Sequence, residues 1–236
     1  MSDDPKSPDF QARRAQARQI LDDIDPHMTQ GGAAADPRRK SWFEAVYDMA
    51  GDDPAGVPWA SLAPHPLTAQ WLGAQGKALE GLRVLDIGCG LGDNAEAFSA
   101  AGARVAAFDL AAKAVDWARR RFPDSKVDYR AADLFDLPEE WRGAFDLVHE
   151  CYTLQALPAE LVQPAFAALA ATLKPKGELL VIARARDEDQ AMQGPPWPLP
   201  KSAFDLARTV GLRLVSLEDI PANDGMVRHW RAMLTK

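Results

Sequence analysis

This chain of 236 residues contains only two cysteines, and their number and spacing exclude several kinds of disulfide and metal site. Cys89 and Cys151 can form at most one disulfide. Neither stands in the Cys-x-x-Cys or Cys/His spacing that a metal site requires, so we expect no metal. The simplest setting for such a chain is a reducing cytoplasm.

Long apolar runs and an excess of basic residues are also missing. No apolar core follows a basic start at the N-terminus, and no apolar run approaches the length of a membrane span. We therefore expect a protein that is neither secreted nor bound to a membrane. The formal net charge is −7, from 27 basic and 34 acidic side chains, so a long polyanion would be repelled. Nucleic acid is disfavoured as a substrate.

Residues 1–80 and 81–236 differ in the pattern of their apolar residues, which predicts an N-terminal helical segment and lid ahead of an α/β core. Apolar residues recur at helical spacing over 10–25, so we expect a first helix appended to the main body. The stretch 26–37 is rich in Pro, Gly and Ala and interrupts that pattern. The length of the chain is typical of one globular unit.

Two further features of the N-terminal segment predict local structure. Ser41 is followed three residues later by Glu44, the form of a capping box, and this predicts a second helix from about Trp42. The stretch 51–66 is dense in Pro and Gly and predicts an ordered loop or lid that carries Trp59.

From residue 82 onward, short apolar strands alternate with amphipathic helices, which is typical of crossover units in a parallel sheet. The last two predicted strands are too close in sequence for a helical crossover and should pair antiparallel at the sheet edge. The predicted strands cover 82–87, 103–109, 126–130, 145–150, 178–184, 212–219 and 227–234. The predicted helices of the core cover 92–101, 111–122, 158–173 and about 202–210.

A glycine cluster lies where the first strand of the core turns into a helix. The run 84–93 reads Val-Leu-Asp-Ile-Gly-Cys-Gly-Leu-Gly-Asp, and glycine lets a cofactor approach the backbone with no Cβ in the way. The dinucleotide form of this motif needs glycine where this chain has Asp93. Asp86 and Asp93 would repel a pyrophosphate and suit a cationic sulfonium, so the charges favour S-adenosylmethionine over NAD.

Further acids follow the next strands, at the edge where open parallel sheets bind ligands. Asp109 ends the second strand and can accept both ribose hydroxyls. Asp133 follows the third strand and can accept from the adenine amino group, with Leu134 against the ring, and Glu150 ends the fourth strand. The residues of the core that we predict to bind S-adenosylmethionine, and its product S-adenosylhomocysteine, are Asp86, Gly88, Cys89, Gly90, Asp93, Asp109, Leu110, Asp133, Leu134 and Glu150.

Each of these residues also has an interpretation without a ligand. Asp86 can bond the amides of its own turn, Asp109 can cap the next helix, and Asp133 can belong to an ordinary polar turn. Glu150 can be a solvated strand end. The glycines can serve close helix–sheet packing, and the two cysteines are more often small packing residues than nucleophiles. The joint arrangement favours the binding site.

The run 84–93, Asp109, Asp133 with Leu134, and the strand that ends at Glu150 together resemble class I S-adenosylmethionine-dependent methyltransferases. The resemblance covers about residues 82–235. The family has a Rossmann-like sheet of seven mostly parallel strands, with an antiparallel last strand and helices on both faces, and we expect that fold here.

Two segments outside these motifs are similar to the thiopurine, thiol and halide methyltransferase group. They are Val57-Pro58-Trp59 with the later Pro64-His65-Pro66-Leu67, and Gly194-Pro195-Pro196-Trp197. The resemblance implies methyl transfer to a small soft nucleophile such as a thiol, with the N-terminal segment over the site. It implies Trp42 as a cofactor contact and Trp59 as a substrate contact. Ala60 departs from the group, whose plant-like members have Asp after Pro-Trp.

The chemistry of the expected reaction asks little of the protein beyond alignment and exclusion of water. A thiol, with a pKa of about 8.5, supplies some thiolate near neutral pH, whereas an alcohol needs a positioned base. No base constellation is visible in the sequence, so we assign no catalytic residue. His149 should alternate away from Glu150, which favours a structural or surface role. The substrate-side candidates in the core are Tyr152, Thr153, Arg184 and Trp197.

Other functions remain open at this point. A small-molecule O- or N-methyltransferase would use the same scaffold, and a cofactor-binding regulatory protein would use it without turnover. A nicotinamide oxidoreductase is less consistent with Asp93. The segment 150–153 lacks the motifs of DNA methyltransferases, and the basic run 119–121 is more often a solvated helix face than a phosphate site.

Overall fold

The computed structural model of the protein describes residues 3–24, 36–191, 194–223 and 225–236. The helices are α1 (Pro8–Ile24), α2 (Lys40–Ala50), α3 (Pro66–Gln75), α4 (Asp93–Ala100), α5 (Ala112–Arg121), α6 (Ala159–Thr172) and α7 (Ala203–Arg208). The strands are β1 (Arg83–Ile87), β2 (Arg104–Asp109), β3 (Asp128–Ala131), β4 (Phe145–Cys151), β5 (Leu173–Arg184), β6 (Arg213–Ile220) and β7 (His229–Thr235). None of these helices is long and apolar enough to span a membrane.

All seven strands form one sheet in the order β3-β2-β1-β4-β5-β7-β6. The pairings from β3 through β5 are parallel, and β7 runs antiparallel between β5 and β6. The connection between β6 and β7 spans only 221–228, which is too short for a helical crossover, so these strands pair antiparallel. The predicted Rossmann-like fold with an antiparallel last strand is confirmed.

The centre of the sheet is buried on both faces because helices cover both. Val84 of β1 packs with residues of α4 and α5 in one apolar cluster. Leu85 and Ile87, which point to the other face, pack with residues of α6 and α7. A strand covered on both sides reads as a continuous apolar run, which explains why β1 was recognisable in the sequence.

The predicted capping box at the start of α2 is wrong. The helix begins at Lys40, and its N-cap is Arg39, whose φ of 58° is left-handed and whose side chain makes no capping hydrogen bond. The carboxylate of Asp36 takes this role, because it accepts from the backbone N–H groups of Arg38 at 3.0 Å and Lys40 at 2.8 Å. Ser41 lies inside the helix.

Strand β5 is longer than predicted at its N-terminal end. It begins at Leu173, ahead of Lys174-Pro175-Lys176-Gly177, which reads as a turn in sequence. Lys176 has a φ of 66°, and the pairing with β4 shifts register between Phe145 and Leu147. Because this stretch is irregular, its residues do not follow the alternation typical of a strand, and the sequence pattern did not predict the first half of β5.

Helix α1 packs on the short 3-10 turn at Pro54–Gly56. Phe10 is fully buried, and Arg13 forms an ion pair with Asp53. The first helix is therefore docked on the loop that precedes α3. Most of the Pro-, Gly- and Ala-rich stretch predicted after α1 lies outside the described residues, since 25–35 are not among them.

Candidate active site

The glycine turn between β1 and α4 has left-handed backbone conformations, and at Gly88 it has no room for a side chain. Gly88 and Gly90 have φ values of 59° and 52°, in the left-handed region that favours glycine. A Cβ on Gly88 would collide with Thr153 Oγ1, and a Cβ on Gly90 would lie 3.5 Å from Tyr47 Oη. The backbone of this turn is therefore open to a ligand at Gly88, which is exposed.

Asp109, at the end of β2, is tied to the glycine turn. Its two carboxylate oxygens accept from the backbone N–H groups of Gly90 and Ala111, each at 2.9 Å. Burial raises the pKa of this carboxyl to about 6. Each oxygen keeps a second lone pair, so Asp109 can hold the turn and still accept from a ligand hydroxyl. Leu110 follows it at the edge of the crevice and is half-buried.

Asp86 lies at the end of β1 in a buried polar group with His149 and Thr68. His149 Nδ1 lies 2.6 Å from Asp86 Oδ1, and His149 Nε2 lies 3.0 Å from Thr68 Oγ1. All three side chains are buried, so a surface role for His149 is wrong, and the structural role stays a prediction. The second oxygen of Asp86, Oδ2, is buried with no hydrogen-bond partner among the described residues.

Glu150 ends β4 in the interior, so a solvated strand end is wrong. Its Oε1 accepts from the backbone N–H of Leu154 at 2.9 Å. Burial raises the pKa of Glu150 to about 8, with a smaller contribution from the negative charge of Asp86. Its Oε2 is buried and has no hydrogen-bond partner in the part of the chain described here. A buried oxygen without a partner calls for a donor or a proton.

Asp93 does not present a free carboxylate to the crevice. Its two oxygens accept from the two terminal nitrogens of Arg121, each at 2.8 Å. This bidentate pair neutralises the charge, so the electrostatic argument for a cationic ligand rests on Asp86 and Asp109. Sequence reasoning missed the pair because Arg121 belongs to a run of three arginines that reads as a solvated helix face.

Asp133, after β3, joins the core to the N-terminal segment. Its Oδ2 accepts from Arg38 at 2.7 Å, and its Oδ1 accepts from the backbone N–H of Phe135 at 2.9 Å. Leu134 beside it is buried. An adenine amino group bound by Asp133, as predicted, would therefore share this carboxylate with Arg38.

An aromatic cluster of the N-terminal segment lies over the glycine turn. Trp59 Nε1 donates to Tyr47 Oη at 3.1 Å, and Tyr47 is the side chain closest to Gly90. The rings of Trp42 and Trp59 lie 5.8 Å apart. Trp42 Nε1 is buried and makes no hydrogen bond within the described residues.

A second cluster lies beside this crevice; two of its members, Tyr152 and Arg184, were predicted from the sequence as site residues, but neither of its histidines was. Tyr152 Oη lies 3.0 Å from His65 Nε2 and 2.6 Å from His229 Nε2. Tyr152 has a φ of 75°, a left-handed conformation that is rare for a bulky residue and clusters at functional sites. The guanidinium of Arg184 lies 5.6 Å from the centre of the Tyr152 ring. We call His65, Tyr152, Arg184 and His229 the Tyr152 cluster.

The Tyr152 cluster lines a cavity of about 320 Å³ whose other walls are Pro66, Gly225, Met226 and Val227. Burial lowers the pKa of His65 to about 3 and lowers that of His229, and it raises the pKa of Tyr152 to about 12. The two imidazoles and the phenol are therefore neutral near pH 7. His65 and His229 were missed because one follows a proline in a loop and the other opens the last strand, so no local motif joins them.

Other substrate-side candidates lie elsewhere. Thr153 contacts the glycine turn, with its Oγ1 3.4 Å from the carbonyl oxygen of Ile87. Trp197 packs on Gly194 of its own loop and does not line the 320 Å³ cavity. A larger cavity of about 500 Å³ lies along β6 and β7, but its lining is occupied by ion pairs of Arg228. Within the described residues no group of His, Cys, Asp or Glu side chains is arranged to hold a metal ion.

Residues 84–177 match the family model of a methyltransferase domain. The chain is 38% identical over 117 residues to a ubiquinone biosynthesis O-methyltransferase of Bordetella avium, an alignment that covers 49% of this chain and 48% of the relative. It is 33% identical over 159 residues to one of Dechloromonas aromatica, covering 62% and 65%. The chain thus spans about half to two thirds of the length of these curated relatives.

Solved structures share the fold at low identity. The N-methyltransferase NodS of Bradyrhizobium japonicum, in complex with S-adenosylhomocysteine, aligns with a TM-score of 0.65 at 19% identity, over 82% of this chain and 97% of that one. The family match and the strand order agree with the glycine turn and its carboxylates. Residues 84–177 are thus similar to a methyltransferase domain, and the sheet has the Rossmann-like fold of the solved methyltransferase.

Proposed function

We propose that the protein transfers a methyl group from S-adenosylmethionine to a hydroxyl oxygen of a small molecule. The observation that carries the proposal is the crevice at the carboxyl ends of β1, β2 and β4. An open glycine turn meets Asp86, Asp109 and Glu150 there. The match of residues 84–177 to a methyltransferase domain supports the same activity.

The residues of this crevice fit the cofactor by their own chemistry. The buried oxygens Asp86 Oδ2 and Glu150 Oε2 have no hydrogen-bond partner among the described residues, and a cationic donor would compensate them. Asp109 keeps acceptor capacity for ribose hydroxyls. When bound, S-adenosylmethionine supplies an electrophilic methyl group on a sulfonium, so a negative crevice suits it.

The N-terminal segment, residues 1–80, has the role of a lid in this proposal. Trp42, Tyr47 and Trp59 lie over the glycine turn, and the Arg38–Asp133 ion pair ties the segment to the core. A lid of this kind excludes water from the sulfonium and holds the acceptor in line with it. Cofactor contacts by Trp42 and substrate contacts by Trp59 follow from it.

A hydroxyl acceptor is supported over the thiol that the sequence favoured. The curated relatives above carry the name of O-methyltransferases. Beside the crevice, the Tyr152 cluster offers neutral proton acceptors, which a hydroxyl requires and a thiol can do without. The runner-up acceptors are a thiol and an amine. The two cysteines are unpaired, which suits a reducing compartment such as the cytoplasm.

Titration calorimetry with S-adenosylhomocysteine, followed by methyl transfer assays in the same sample, tests the proposal. We expect binding, and methylation of phenols faster than that of thiols, amines or iodide. The matched variants are Asp109→Asn, which keeps the shape but removes the charge and should weaken binding by about tenfold or more, and Asp116→Asn on the exposed face of α5 as control. Absence of binding by the wild-type protein would contradict the cofactor, and methylation confined to thiols or amines would contradict the hydroxyl acceptor.

A further inference from the structure

The hydrogen bonds of the Tyr152 cluster fix the positions of its protons. His229 Nδ1 lies 2.5 Å from the carbonyl oxygen of Val227, and a carbonyl only accepts, so Nδ1 carries a proton. Burial keeps His229 neutral, so its Nε2 has none. The Tyr152 hydroxyl, 2.6 Å away, must therefore donate to His229 Nε2.

The other side of the cluster gives a consistent assignment. The backbone N–H of Leu67 donates to His65 Nδ1 at 3.3 Å, so this nitrogen is unprotonated. The neutral His65 then carries its proton on Nε2, which donates to Tyr152 Oη at 3.0 Å. The chain of donors runs in one direction, from the Leu67 amide through His65, Tyr152 and His229 to the Val227 carbonyl.

With this order of donors and acceptors, one further acceptor position remains in the cluster, on Tyr152 Oη. Tyr152 Oη has two acceptor positions, and His65 uses one. His229 Nε2 is used by Tyr152, and His65 Nε2 is a donor. Tyr152 Oη thus has one further acceptor position in the 320 Å³ cavity, which a substrate hydroxyl would share with the nearby guanidinium of Arg184, and it is joined to a neutral imidazole that can take a proton.

The cavity adjoins the proposed cofactor crevice. Thr153, the residue after Tyr152, contacts the glycine turn at Ile87 and Gly88. The backbone N–H of His65 donates to Asn94 Oδ1 at 2.9 Å, and Asn94 lies in the first turn of α4, just after the glycine turn. An acceptor in the cavity therefore lies next to the turn that we propose holds the methyl donor.

The charge of the cavity selects the acceptor. Arg184 is the one formally charged residue among the described residues of its lining, and its Nε is buried with no hydrogen-bond partner in that part of the chain. A guanidinium favours an oxygen on which negative charge develops and disfavours a protonated amine. The apolar walls, Pro66, Met226 and Val227, suit a flat ring.

From this geometry we infer that the cavity binds a phenol, and that Tyr152 and His229 form a relay that removes the proton of its hydroxyl. As the acceptor oxygen bonds to the methyl carbon, its O–H bond breaks and the proton passes to Tyr152 Oη. The proton of Tyr152 passes to His229 Nε2, and the C–S bond breaks to leave neutral S-adenosylhomocysteine. His229 becomes an imidazolium that keeps its bond to the Val227 carbonyl, and His65 is a positioning residue. This inference rests on the proposed function.

The relay predicts the tautomers of the two histidines independently of activity. In NMR spectra of the protein with ¹⁵N-labelled histidine, we expect His229 protonated on Nδ1 alone and His65 protonated on Nε2 alone. His229→Gln and His65→Gln assign the signals. A His229 ring protonated on Nε2 would overturn the relay, because Tyr152 would then have no acceptor for its proton.

The kinetic test compares a phenol of pKa about 10 with a nitrophenol, both assayed at a pH at which the nitrophenol is largely ionised and the phenol is not. Tyr152→Phe and His229→Gln should each lower kcat on the phenol by about 100-fold or more. Both should leave the nitrophenol rate within about threefold, since an ionised acceptor needs no base. Thr209→Val, an exposed site at the end of α7, is the control for substitution itself.

The outcomes separate the relay from the proposed function. Equal losses on both acceptors, or no loss on the phenol, would overturn the relay while methyl transfer by the wild-type protein leaves the proposed function intact. Methylation of thiols but no phenol by the wild-type protein would also overturn it. If the wild-type protein neither binds S-adenosylhomocysteine nor methylates any acceptor, the proposed function fails first. Unchanged S-adenosylhomocysteine affinity in Tyr152→Phe shows that the fold of the crevice is preserved.

Discussion

At the residue scale, the sequence predicted the positions of the acidic residues in the crevice but not their hydrogen-bond partners. The positions of Asp86, Asp109 and Glu150 at strand ends follow from local patterns and were predicted. Their partners were not, since Asp86 bonds a histidine 63 positions away. Pairings over such separations depend on which strands become neighbours, and the sequence around each residue does not carry that information.

Glu150 should make the ligand-free protein less stable as the pH rises. Its pKa is about 8 in the folded protein against 4.5 for the ordinary side chain, so between these values the folded state holds a proton that the unfolded chain has lost. Stability then falls with rising pH, by at most about 1.4 kcal/mol per pH unit for one proton. Glu150→Gln, which keeps an acceptor for the Leu154 amide, should remove this part of the pH dependence.

The measurement is urea unfolding of both proteins at pH 5 and pH 8 without cofactor. We expect the variant to gain on the wild-type protein at pH 8 and to differ little at pH 5. All other ionisable groups are common to both proteins, so their contributions should cancel in the difference. A constant difference at the two pH values would mean that Glu150 is ionised in the folded state.

At the scale of elements, helix α2 shows where a local motif misled. Ser41 and Glu44 fit a capping box, but the left-handed Arg39 ends the preceding turn, and the carboxylate of Asp36 caps the first amides instead. The guanidinium of Arg39 lies 4.0 Å from the centre of the Trp42 ring. Contacts of the preceding turn thus determine where the helix begins. The capping-box rule considers only the spacing of Ser and Glu, so it does not include these contacts.

Asp36→Ala should destabilise α2, and Ser41→Ala should not. Loss of a capping carboxylate typically costs about 1 kcal/mol, whereas alanine is a better helix former than serine inside a helix. Hydrogen exchange of the peptide that covers residues 38–46 measures the difference. Faster exchange in Ser41→Ala with none in Asp36→Ala would restore the capping box.

At the scale of the whole molecule, the sheet brings the proposed methyl-donor crevice and the proposed acceptor cavity to one edge. The carboxyl ends of β1, β2, β4 and β5 lie there, and the antiparallel β7 contributes its first residue, His229, which pairs with Arg184 of β5. In our proposal the N-terminal segment covers this edge. Ligand binding at the crevice should therefore slow hydrogen exchange in the N-terminal segment as well.

S-adenosylhomocysteine should slow hydrogen exchange both in the glycine turn, 86–93, and in the aromatic segment, 42–59. The reason is that Tyr47 lies near Gly90 of the turn and accepts a hydrogen bond from Trp59, so an occupied crevice would hold both side chains. Strand β6 at the far edge of the sheet is the internal control and should show little added protection. Protection of the turn alone would contradict a lid role for the N-terminal segment.

Local sequence patterns were enough to predict the Rossmann-like sheet, the antiparallel last strand and the glycine turn, because periodicity, short connections and glycine act within a few residues of each other. Only the tertiary structure decided the partners of the acids and the assembly of the Tyr152 cluster. His65 and His229 lie 87 and 77 positions from Tyr152, and they meet because α3 begins, β4 ends and β7 begins at the same edge of the sheet. The proton path is therefore a property of the strand order.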